Sequence, residues 1–315
     1  MKALVTGGAG FIGSHIVDRL LKEKYEVIVY DNLSTGNKKF LETSIKKIKF
    51  IQGDLLDTKT LSKSLENIDI VFHMAANADI KENLKDPTRC LEQNTIATSN
   101  LLEAMRKNNV KKIVFASTGS VYGEPNIFPT PENAPFPTQT SMYSASKLAC
   151  EGLLESYSEG YDFQVYIFRF VSIMGERYSH GCVFDFYKKL KKDRSNLDIL
   201  GDGKQKKSYL YVQDCINAIF TVLNKSKEKL NIYNLGNEDV INVDKIAETI
   251  CKRLKLNPKF NYSGGTRGWV GDSPFILLDI KKIRSLGWKP TLTIEQCIIK
   301  TLEWIKDNEW VLERN

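Results

Sequence analysis

ALVTGGAGFIGSHIVDRLL, residues 3–21 of a chain of 315, joins a short apolar run to a segment whose apolar residues recur at helical spacing. Three glycines stand at this junction. Gly7 permits a tight turn, Gly10 lets the backbone approach a pyrophosphate, and Gly13 lets the helix pack closely on the strand. A helix that begins here offers an anion its unpaired N–H groups and the positive end of its dipole. The stretch therefore predicts a dinucleotide-binding unit at the start of the chain.

The rest of the first half repeats this alternation of strand and helix. Helical spacing is clearest over 87–107 and 142–157. Short apolar runs predict strands at 3–5, 27–30, 48–51, 70–73, 113–116, 165–170 and 232–235. Strands that alternate with helices form parallel sheets covered by helices on both faces. The predicted fold is therefore α/β, a Rossmann-type doubly wound parallel sheet.

The alternation becomes irregular from residue 171 onward, which indicates a smaller, discontinuous C-terminal lobe. We expect the dinucleotide-binding domain to comprise 1–170 plus 212–238. The second lobe then comprises 171–211 plus 239–315. Five of the nine prolines lie between residues 125 and 137. They indicate a loop within the first domain rather than a linker, because this segment joins two elements of one sheet unit.

Two acidic residues follow predicted strands. Asp31 ends the second strand, 18 residues after Gly13. Its carboxylate can accept both hydroxyls of an adenosine ribose and repels a 2′-phosphate, which favours NAD over NADP. Lys38 and Lys39 stand nearby and keep NADP open. Asp54 follows the third strand and has two interpretations, a partner of the adenine amine or the N-cap of the next helix.

Tyr143 and Lys147 lie four residues apart in MYSASKLACEG, a spacing that puts both side chains on one face of a helix. A tyrosine has an ordinary pKa of about 10, too high for a base near neutrality. A nearby ammonium group, or a bound nicotinamide cation, lowers that pKa because it stabilises the phenolate. The pair follows a strand that ends in hydroxyl residues, FAST at 115–118. This combination predicts a proton-transfer site beside a hydride acceptor.

The composition argues against several other classes of protein. With 42% hydrophobic and 26% charged residues, the chain has an ordinary globular composition. No apolar run approaches the roughly 18 residues that span a bilayer, so no membrane partner is expected. The formal net charge is +7. Because the charges are spread along the chain, they indicate a solvated surface rather than a nucleic-acid site, although the excess can attract a small anion.

The six cysteines include no CxxC pair, and the three histidines are scattered. This pattern predicts reduced thiols and no metal site. The run MKALVTGG at the amino terminus is too short before its glycines for a secretory signal. The expected location is therefore cytoplasmic.

Together these motifs resemble the extended short-chain dehydrogenase/reductase family, and within it the nucleotide-sugar 4-epimerases of the UDP-glucose/UDP-galactose type. The resemblance covers nearly the whole chain. It rests on GGAGFIG at 7–13, Asp31, Asp54, HMAA at 73–76, Asn94, ASTGSVYGE at 116–124, Tyr143 with Lys147, and YLYVQD at 209–214.

The resemblance implies a role for each matching residue. Tyr143 is the expected base, Lys147 the ribose-binding lysine, and Thr118 the catalytic hydroxyl, whose role Ser117 can share. The residues expected to bind NAD are Gly7, Gly10, Phe11, Ile12, Gly13, Asp31, Asn32, Asp54, Leu55, Ala75, Ala76, Asn94, Ser117, Tyr143, Lys147 and Phe170. The residues expected to bind a nucleotide sugar are Thr118, Tyr143, Ser172, Gly181, Lys207, Tyr209, Arg267 and Asp272.

The resemblance also separates the chain from other branches of the family. Dehydratases carry Asp-Glu after the catalytic hydroxyl residue, where this chain has Gly119 and Ser120. Decarboxylases carry Glu at the place of Ser120, and 3,5-epimerases need a cysteine near this position. Two reactions are left as possible functions, C4 epimerisation and reduction of a 4-keto nucleotide sugar. An NAD-binding regulatory protein is a third alternative. Ser172 stands where the epimerases have Asn, which keeps the reductase open.

The preferred interpretation is an NAD-dependent 4-epimerase. Its substrate would be UDP-glucose/UDP-galactose or an N-acetylated or uronate analogue. Such an enzyme oxidises C4 transiently and returns the hydride to the opposite face. The resemblance further implies a homodimer through the helices around 90–107 and 142–157.

Overall fold

The computed structural model describes residues 1–313, apart from the side chains of residues 80–82. The described chain forms two compact units. Unit 1 comprises Met1–Val121, Ser141–Arg169 and Ile219–Tyr233. Unit 2 comprises Tyr122–Thr140, Phe170–Ala218 and the chain from Asn234 onward. The assignment of cofactor binding to one domain and nucleotide-sugar binding to the other stays a prediction.

The strands share short, mostly buried sequences. They are β1 (Lys2–Thr6), β2 (Glu26–Asp31), β3 (Lys49–Gln52), β4 (Ile70–His73), β5 (Lys112–Thr118), β6 (Gln164–Phe170), β7 (Ser172–Met174), β8 (Asn196–Ile199), β9 (Lys206–Lys207), β10 (Tyr209–Tyr211), β11 (Leu230–Leu235), β12 (Ile241–Asn242), β13 (Lys259–Tyr262) and β14 (Phe275–Ile276).

The α-helices are α1 (Phe11–Lys22), α2 (Thr58–Ser64), α3 (Ile80–Lys85), α4 (Pro87–Cys90), α5 (Ala97–Lys107), α6 (Met142–Tyr161), α7 (Cys182–Lys192), α8 (Val212–Lys225), α9 (Val243–Leu254), α10 (Lys281–Arg284) and α11 (Ile294–Asp307). A π-helical turn, Leu91–Ile96, joins α4 to α5. Short 3₁₀ turns occur at Lys38–Leu41, Ile45–Lys47, Gly119–Tyr122 and Glu309–Glu313.

A seven-stranded sheet in the order β11-β6-β5-β4-β1-β2-β3 organises unit 1. The pairings from β5 through β4, β1 and β2 to β3 are parallel. The chain runs outward from β1 to β3, then returns to β4 and runs outward on the other side. The strand order therefore reverses between β1 and β4, and ligands of doubly wound sheets bind outside the carboxyl ends of the strands at such a point.

Apolar side chains on one face of this sheet pack against α2, α5 and α6. The cluster includes Val71, Leu101 and Leu154, all buried. The adjacent β4 residue, Phe72, points to the opposite face and stacks on Phe220 of α8, with ring centroids 5.9 Å apart. The packing of α6 against the sheet sets the place of Tyr143, one residue inside the amino end of that helix.

Unit 2 is built from small sheets and three helices that pack together. The sheets are β10-β7, β12-β9-β14 and β13-β8. The helices are α7, α9 and α11. Side chains cap two of them, since Asn242 accepts the amide of Lys245 at the start of α9, and Thr293 forms a capping box with Gln296 at the start of α11.

The predicted fold class is confirmed, and each predicted strand is present within two residues of its expected bounds. The helix predicted over 142–157 extends further, to Tyr161. The helix predicted over 87–107 is present but contains the π-helical turn, which inserts one extra residue that helical spacing could not reveal. No helix within residues 1–313 is both long and apolar enough to cross a bilayer.

Candidate functional site

The glycine-rich loop lies where β1 meets β4. Gly7 has a φ of +67° and donates its amide to the carbonyl oxygen of Tyr30 at 2.9 Å. A Cβ on Gly7 would lie 2.6 Å from the nitrogen of Ala75, and one on Gly13 would lie 2.1 Å from the oxygen of Gly7. Side chains at either place would therefore force the strand, the loop and α1 apart. The predicted residues Phe11 and Ile12 form the first turn of α1.

The Asp31 carboxylate holds this loop from β2. It is buried, and its oxygens accept the amides of Ala9 at 2.9 Å and of Leu33 at 2.8 Å. A carboxylate has about four acceptor sites, so these two amides do not exclude ribose hydroxyls. Asn32 donates its side-chain amide to the carboxylate of Asp54 at 2.8 Å. The structure thus brings together Asn32 and Asp54, both predicted to bind the cofactor.

The alternative interpretation of Asp54, as a helix N-cap, is wrong. The N-cap of α2 is Asp57, whose carboxylate accepts the amides of Lys59 and Thr60. Asp54 instead accepts the amide of Leu56 at 2.9 Å and lies in the turn that precedes the helix. Leu55, also predicted to bind the cofactor, is buried beside it and accepts the side-chain amide of Asn100 through its carbonyl.

His73, the last residue of β4, is buried as a neutral imidazole. Its Nδ1 lies 2.7 Å from the hydroxyl of Thr6, and its Nε2 lies 3.0 Å from the hydroxyl of Thr98. Burial lowers the pKa of His73 to about 3, and the positive charge of Lys147 acts in the same direction. Ala75 and Ala76 follow this strand and are partly exposed.

These features fit an NAD molecule. The loop has no room for a Cβ at Gly7 or Gly13. Within residues 1–313, no side chain caps α1 and no acidic residue stands in its first turn. The helix therefore presents its positive end to an anion such as a pyrophosphate. Asp31 adds a buried carboxylate beside this loop, as a ribose requires.

Tyr143 and Lys147 are confirmed on one helix, α6, four residues apart. Tyr143 is partly exposed and Lys147 is buried. The Lys147 ammonium donates to the carbonyl oxygen of Ala116 at 2.8 Å and lies 4.5 Å from the ring centroid of Phe115. The end of β5 therefore fixes the position of this cation.

The pKa of Tyr143 differs from the sequence-based expectation that the neighbouring Lys147 lowers it. Burial raises the pKa of the Tyr143 phenol well above 10, and the Cys90 and Cys150 thiols raise it further, while a hydrogen bond from Thr118 opposes them. Burial also lowers the pKa of Lys147 to about 8. The residues of the chain by themselves therefore hold Tyr143 as a neutral phenol, and the expected lowering of its pKa needs positive charge from outside the chain.

The two hydroxyl residues at the end of β5 point in different directions, as neighbours in a strand do. Thr118 is partly exposed, its hydroxyl oxygen lies 3.2 Å from that of Ser120, and it is hydrogen-bonded to Tyr143. Ser117 is 2% exposed and donates to the carboxylate of Glu151. Of the two, Thr118 is the residue in contact with the phenol.

Asn94 lies in the π-helical turn and is buried. Its side-chain oxygen accepts the amide of Asn77 at 2.7 Å, and its amide donates to the hydroxyl of Ser146 at 2.9 Å. It therefore ties the segment after β4 to α6, next to Lys147. Phe170, the remaining residue predicted to bind the cofactor, is the buried last residue of β6.

In unit 2, four of the residues predicted to bind substrate form one charged cluster with Trp269. The Lys207 ammonium bonds to the carboxylate of Asp272 and lies 4.9 Å from the ring centroid of Trp269. Arg267 donates to the carbonyl oxygen of Asp272 at 3.0 Å. Burial raises the pKa of the Tyr209 phenol well above 10, and the nearby Asp272 carboxylate adds to this rise.

The other predicted residues of unit 2 lie on neighbouring elements. Ser172 is exposed at the start of β7 and pairs in register with Tyr209 of β10. Gly181, with a φ of +95°, precedes α7, and a Cβ there would lie 2.2 Å from the hydroxyl oxygen of Tyr178.

Three charged residues near these groups were missed at the sequence level. Glu124 pairs with Arg267 at 2.5 Å. Glu151 and Arg169 form a buried ion pair at 2.7 Å. Two signals could have found the buried pair. Glu151 continues the face of Tyr143 and Lys147 by one more turn, and Arg169 is the single charge in the apolar run VYIFRF.

Comparison with known proteins identifies the family. Residues 3–236 match the NAD dependent epimerase/dehydratase family. A protein of Methanocaldococcus jannaschii, provisionally named UDP-glucose 4-epimerase, is 37% identical over 97% of this chain and 98% of its own length. The dTDP-D-glucose 4,6-dehydratase of Mus musculus is 34% identical over 98% of this chain and 89% of its own.

Solved structures agree in fold as well. The structure of a UDP-glucose 4-epimerase from Thermotoga maritima with UDP-glucose has a TM-score of 0.90 at 31% identity, and the match covers 98% of this chain and 100% of that one. The match extends through both the glycine-rich loop and the helix that carries Tyr143 and Lys147. The predicted resemblance and the predicted cofactor, NAD, are thereby confirmed. This chain belongs to the NAD dependent epimerase/dehydratase family of enzymes.

Proposed function

We propose that this enzyme is a nucleotide-sugar 4-epimerase that acts on UDP-glucose/UDP-galactose or on an N-acetylated or uronate analogue. The observation that carries the proposal is the grouping of Tyr143, Thr118 and Lys147 at the carboxyl end of β5. The relatives include both epimerases and dehydratases, so the residues around this group must support the choice of reaction.

The segment after Thr118 favours epimerisation over dehydration. Elimination of water from the sugar needs an acidic group beside the oxidised carbon. Here Gly119 and Ser120 follow Thr118, and the Ser120 side chain is hydrogen-bonded to Thr118. Neither residue can donate a proton as a carboxylic acid does. C4 oxidation without elimination is the reaction that this set of side chains supports.

In the proposed mechanism, ionisation of Tyr143 would be favoured by the positive charge of bound NAD, and the phenolate takes the proton of the C4 hydroxyl and later returns it. Thr118 donates a hydrogen bond to that oxygen and so stabilises its anionic form. Lys147, held by Ala116, adds a positive charge from the same helix. Bound NAD supplies the acceptor and donor of the C4 hydride.

The residues that would hold NAD are those of the glycine-rich loop and of the neighbouring strand ends. The loop at Gly7 and Gly13 would receive the pyrophosphate, and Asp31 would accept the hydroxyls of the adenosine ribose. Asp54 would accept the adenine amine, and Lys147 would bind the second ribose.

The cluster in unit 2 would bind the nucleotide of the substrate. Lys207 and Arg267 are two cations within one cluster, suited to a diphosphate. The buried Asp272 carboxylate suits the hydroxyls of a ribose. Ser172 offers a shorter polar side chain than the Asn that the resemblance implies there, so the sugar would be held by few contacts.

The proposal is tested by NMR of the purified protein with UDP-galactose, UDP-N-acetylgalactosamine and UDP-glucuronate, without added reductant. We expect one of these sugars to convert to its C4 epimer with no net consumption of NADH. Tyr143→Phe should lower turnover by about 10²–10⁴-fold. A 4-keto-6-deoxy product would instead indicate a dehydratase. Stoichiometric oxidation of NADH with a 4-keto sugar would indicate a reductase, and NAD binding without turnover a regulatory protein.

A homodimer through the helices that include α5 and α6, and a cytoplasmic location, remain part of this proposal. The exposed side chains of Ile96, at the end of the π-helical turn before α5, and of Met142 in α6 are consistent with such an interface. Light scattering of the purified protein tests the dimer directly.

A further inference from the structure

A buried ion pair lies one helical turn beyond Lys147. Glu151 and Arg169 are 1% and 2% exposed. The guanidinium donates from Nε to Oε1 of Glu151 at 3.1 Å and from Nη2 to Oε2 at 2.7 Å. Two well-packed apolar side chains often stabilise such a position as well as a buried ion pair does. The presence of two charges inside this helix–sheet contact therefore calls for a role other than stability.

The same carboxylate is bonded to the strand that carries the predicted active-site groups. Glu151 accepts the hydroxyl of Ser117. On one side of Ser117, the carbonyl oxygen of Ala116 accepts the ammonium of Lys147 at 2.8 Å. On the other side, Thr118 bonds to the phenol of Tyr143. The Glu151 carboxylate therefore holds Ser117, and the two neighbours of Ser117 in the strand contact Lys147 and Tyr143.

We propose that Glu151 and Arg169 are positioning residues of this active site, which act through Ser117 to hold the end of β5 against α6. Arg169 anchors the carboxylate from β6, and the carboxylate orients Ser117. The segment 116–118 then keeps its two contacts with α6, from Ala116 to Lys147 and from Thr118 to Tyr143. The expected effect on turnover rests on the 4-epimerase function proposed above. The positioning of Ser117 by Glu151 and Arg169 does not depend on that function.

The charge of Glu151 has a second effect. The groups that face the Lys147 ammonium are His73 of β4, Cys90 of α4, and Cys150 and Glu151 of α6. Burial lowers the pKa of Lys147, and the Glu151 charge opposes that shift. Loss of this charge should therefore lower the pKa of Lys147, whereas loss of the Ser117 hydroxyl should not.

The test compares Glu151→Gln and Ser117→Ala with Asp214→Asn. Asp214 is an equally buried carboxylate, in unit 2, which accepts the amide and hydroxyl of Thr291. Amide hydrogen exchange over 115–122 is measured on the purified proteins, together with kcat, KM and the alkaline limb of the pH profile.

We expect faster exchange over 115–122 in both test variants and not in Asp214→Asn. The kcat should fall by about tenfold to a hundredfold with little change in KM, because misplacement of reacting groups costs up to about 10²-fold. The alkaline limb should move to lower pH in Glu151→Gln and stay in place in Ser117→Ala.

If Glu151→Gln fails to fold, the double variant Glu151→Leu with Arg169→Met removes both charges and keeps an apolar contact. A stable double variant with slow turnover and fast exchange at 115–122 supports the proposal. Wild-type exchange over 115–122 in folded Glu151→Gln or in the double variant overturns it. A wild-type protein that epimerises no UDP-sugar would refute the proposed function, and the exchange experiment would still decide this inference.

Discussion

Asp31 and Ala9 are joined by a hydrogen bond of 2.9 Å from the Ala9 amide to the Asp31 carboxylate, so the residue expected to bind the cofactor ribose also holds the glycine-rich loop. Asp31→Asn should weaken NAD binding by about tenfold to a hundredfold, because hydrogen bonds to a charged group contribute about 1.5–3 kcal/mol. It should also reduce discrimination against NADP. Calorimetric titration with both dinucleotides measures these effects.

The control for Asp31 is Asp69, whose carboxylate also accepts a backbone amide, that of Lys2 at 2.7 Å, before β4. Asp69→Asn should leave NAD affinity unchanged. Equal affinities of Asp31→Asn and wild type for NAD would contradict the assigned role.

Gly13→Ala should destabilise the protein and abolish NAD binding. Its Cβ would lie 2.1 Å from the carbonyl oxygen of Gly7. Overpacking of this kind costs about 1–3 kcal/mol or more, and it would move the loop that is expected to receive the pyrophosphate. Gly152→Ala is the matched control, since a Cβ there would meet no atom of the described chain within 4 Å. It should stabilise α6 by up to about 1 kcal/mol. Thermal unfolding compares the two variants.

His73 should make the protein sensitive to acid. Its pKa is about 3 in the folded chain, against about 6.5 when unfolded. Between these values the unfolded chain binds a proton that the folded chain does not, so stability falls as pH drops below about 6.5. The loss due to His73 should reach about 2 kcal/mol at pH 5.

His73→Gln should remove this part of the pH dependence, although it will lower stability at pH 7. Exposed His180 provides the control variant, His180→Gln, whose pH dependence should match wild type. Urea unfolding at pH 5 and pH 7 measures the difference. If His73→Gln loses as much stability as wild type between pH 7 and pH 5, His73 is not the cause of the acid sensitivity.

NAD affinity should decrease as pH rises through about 8. The pKa of Lys147 is lowered to about 8 by burial, so its ammonium loses a proton above that pH. It would then no longer attract a phenolate or give charge-assisted hydrogen bonds to the ribose that it is expected to bind. Burial raises the pKa of the Tyr143 phenol, so in the free chain this phenol does not ionise in the same pH range as Lys147. Lys147→Arg keeps its charge at pH 10, and its affinity, though weaker, should not vary over pH 7–10. Fluorescence titration at several pH values tests this.

Lys207→Ala should raise KM for the nucleotide sugar by about tenfold to a hundredfold, the cost of losing a charged hydrogen-bond partner. Lys207→Arg should retain most of the affinity, because a guanidinium also binds phosphate. Lys206→Ala is the matched control, since the exposed Lys206 is the neighbouring residue of β9. NAD affinity should be the same in all three variants and wild type. This result would show that the rise in KM does not come from damage to the predicted NAD site in unit 1. Equal KM for Lys206→Ala and Lys207→Ala would count against the assignment.

The sequence allowed most of unit 1 to be predicted because local patterns determine it. The run IVFH at 70–73 became β4 with the expected bounds, and the three glycines lie where the strand order reverses. These features depend on apolar periodicity and on the space available for a Cβ, which are both properties of the residues themselves.

Features that depend on distant contacts could not be predicted. The N-cap of α2 was one of two interpretations of Asp54, and the fold assigns that cap to Asp57 instead. The raised pKa of Tyr143 results from burial by residues far apart in sequence. The contact of Ser117 with Glu151 likewise requires the packing of α6 on β5, which no local pattern specifies.

The charge balance of the cluster in unit 2 has a kinetic consequence. Lys207 bonds to Asp272, and Arg267 bonds to Glu124, so two cations face two anions. Four charges that balance create little long-range field, and the diphosphate of the proposed substrate would have to displace the two carboxylates. Substrate capture should therefore depend only weakly on ionic strength in spite of the net charge of +7. The same returning carboxylates would hasten the departure of the product, a useful trait in the proposed 4-epimerase, whose two sugars would differ at one carbon.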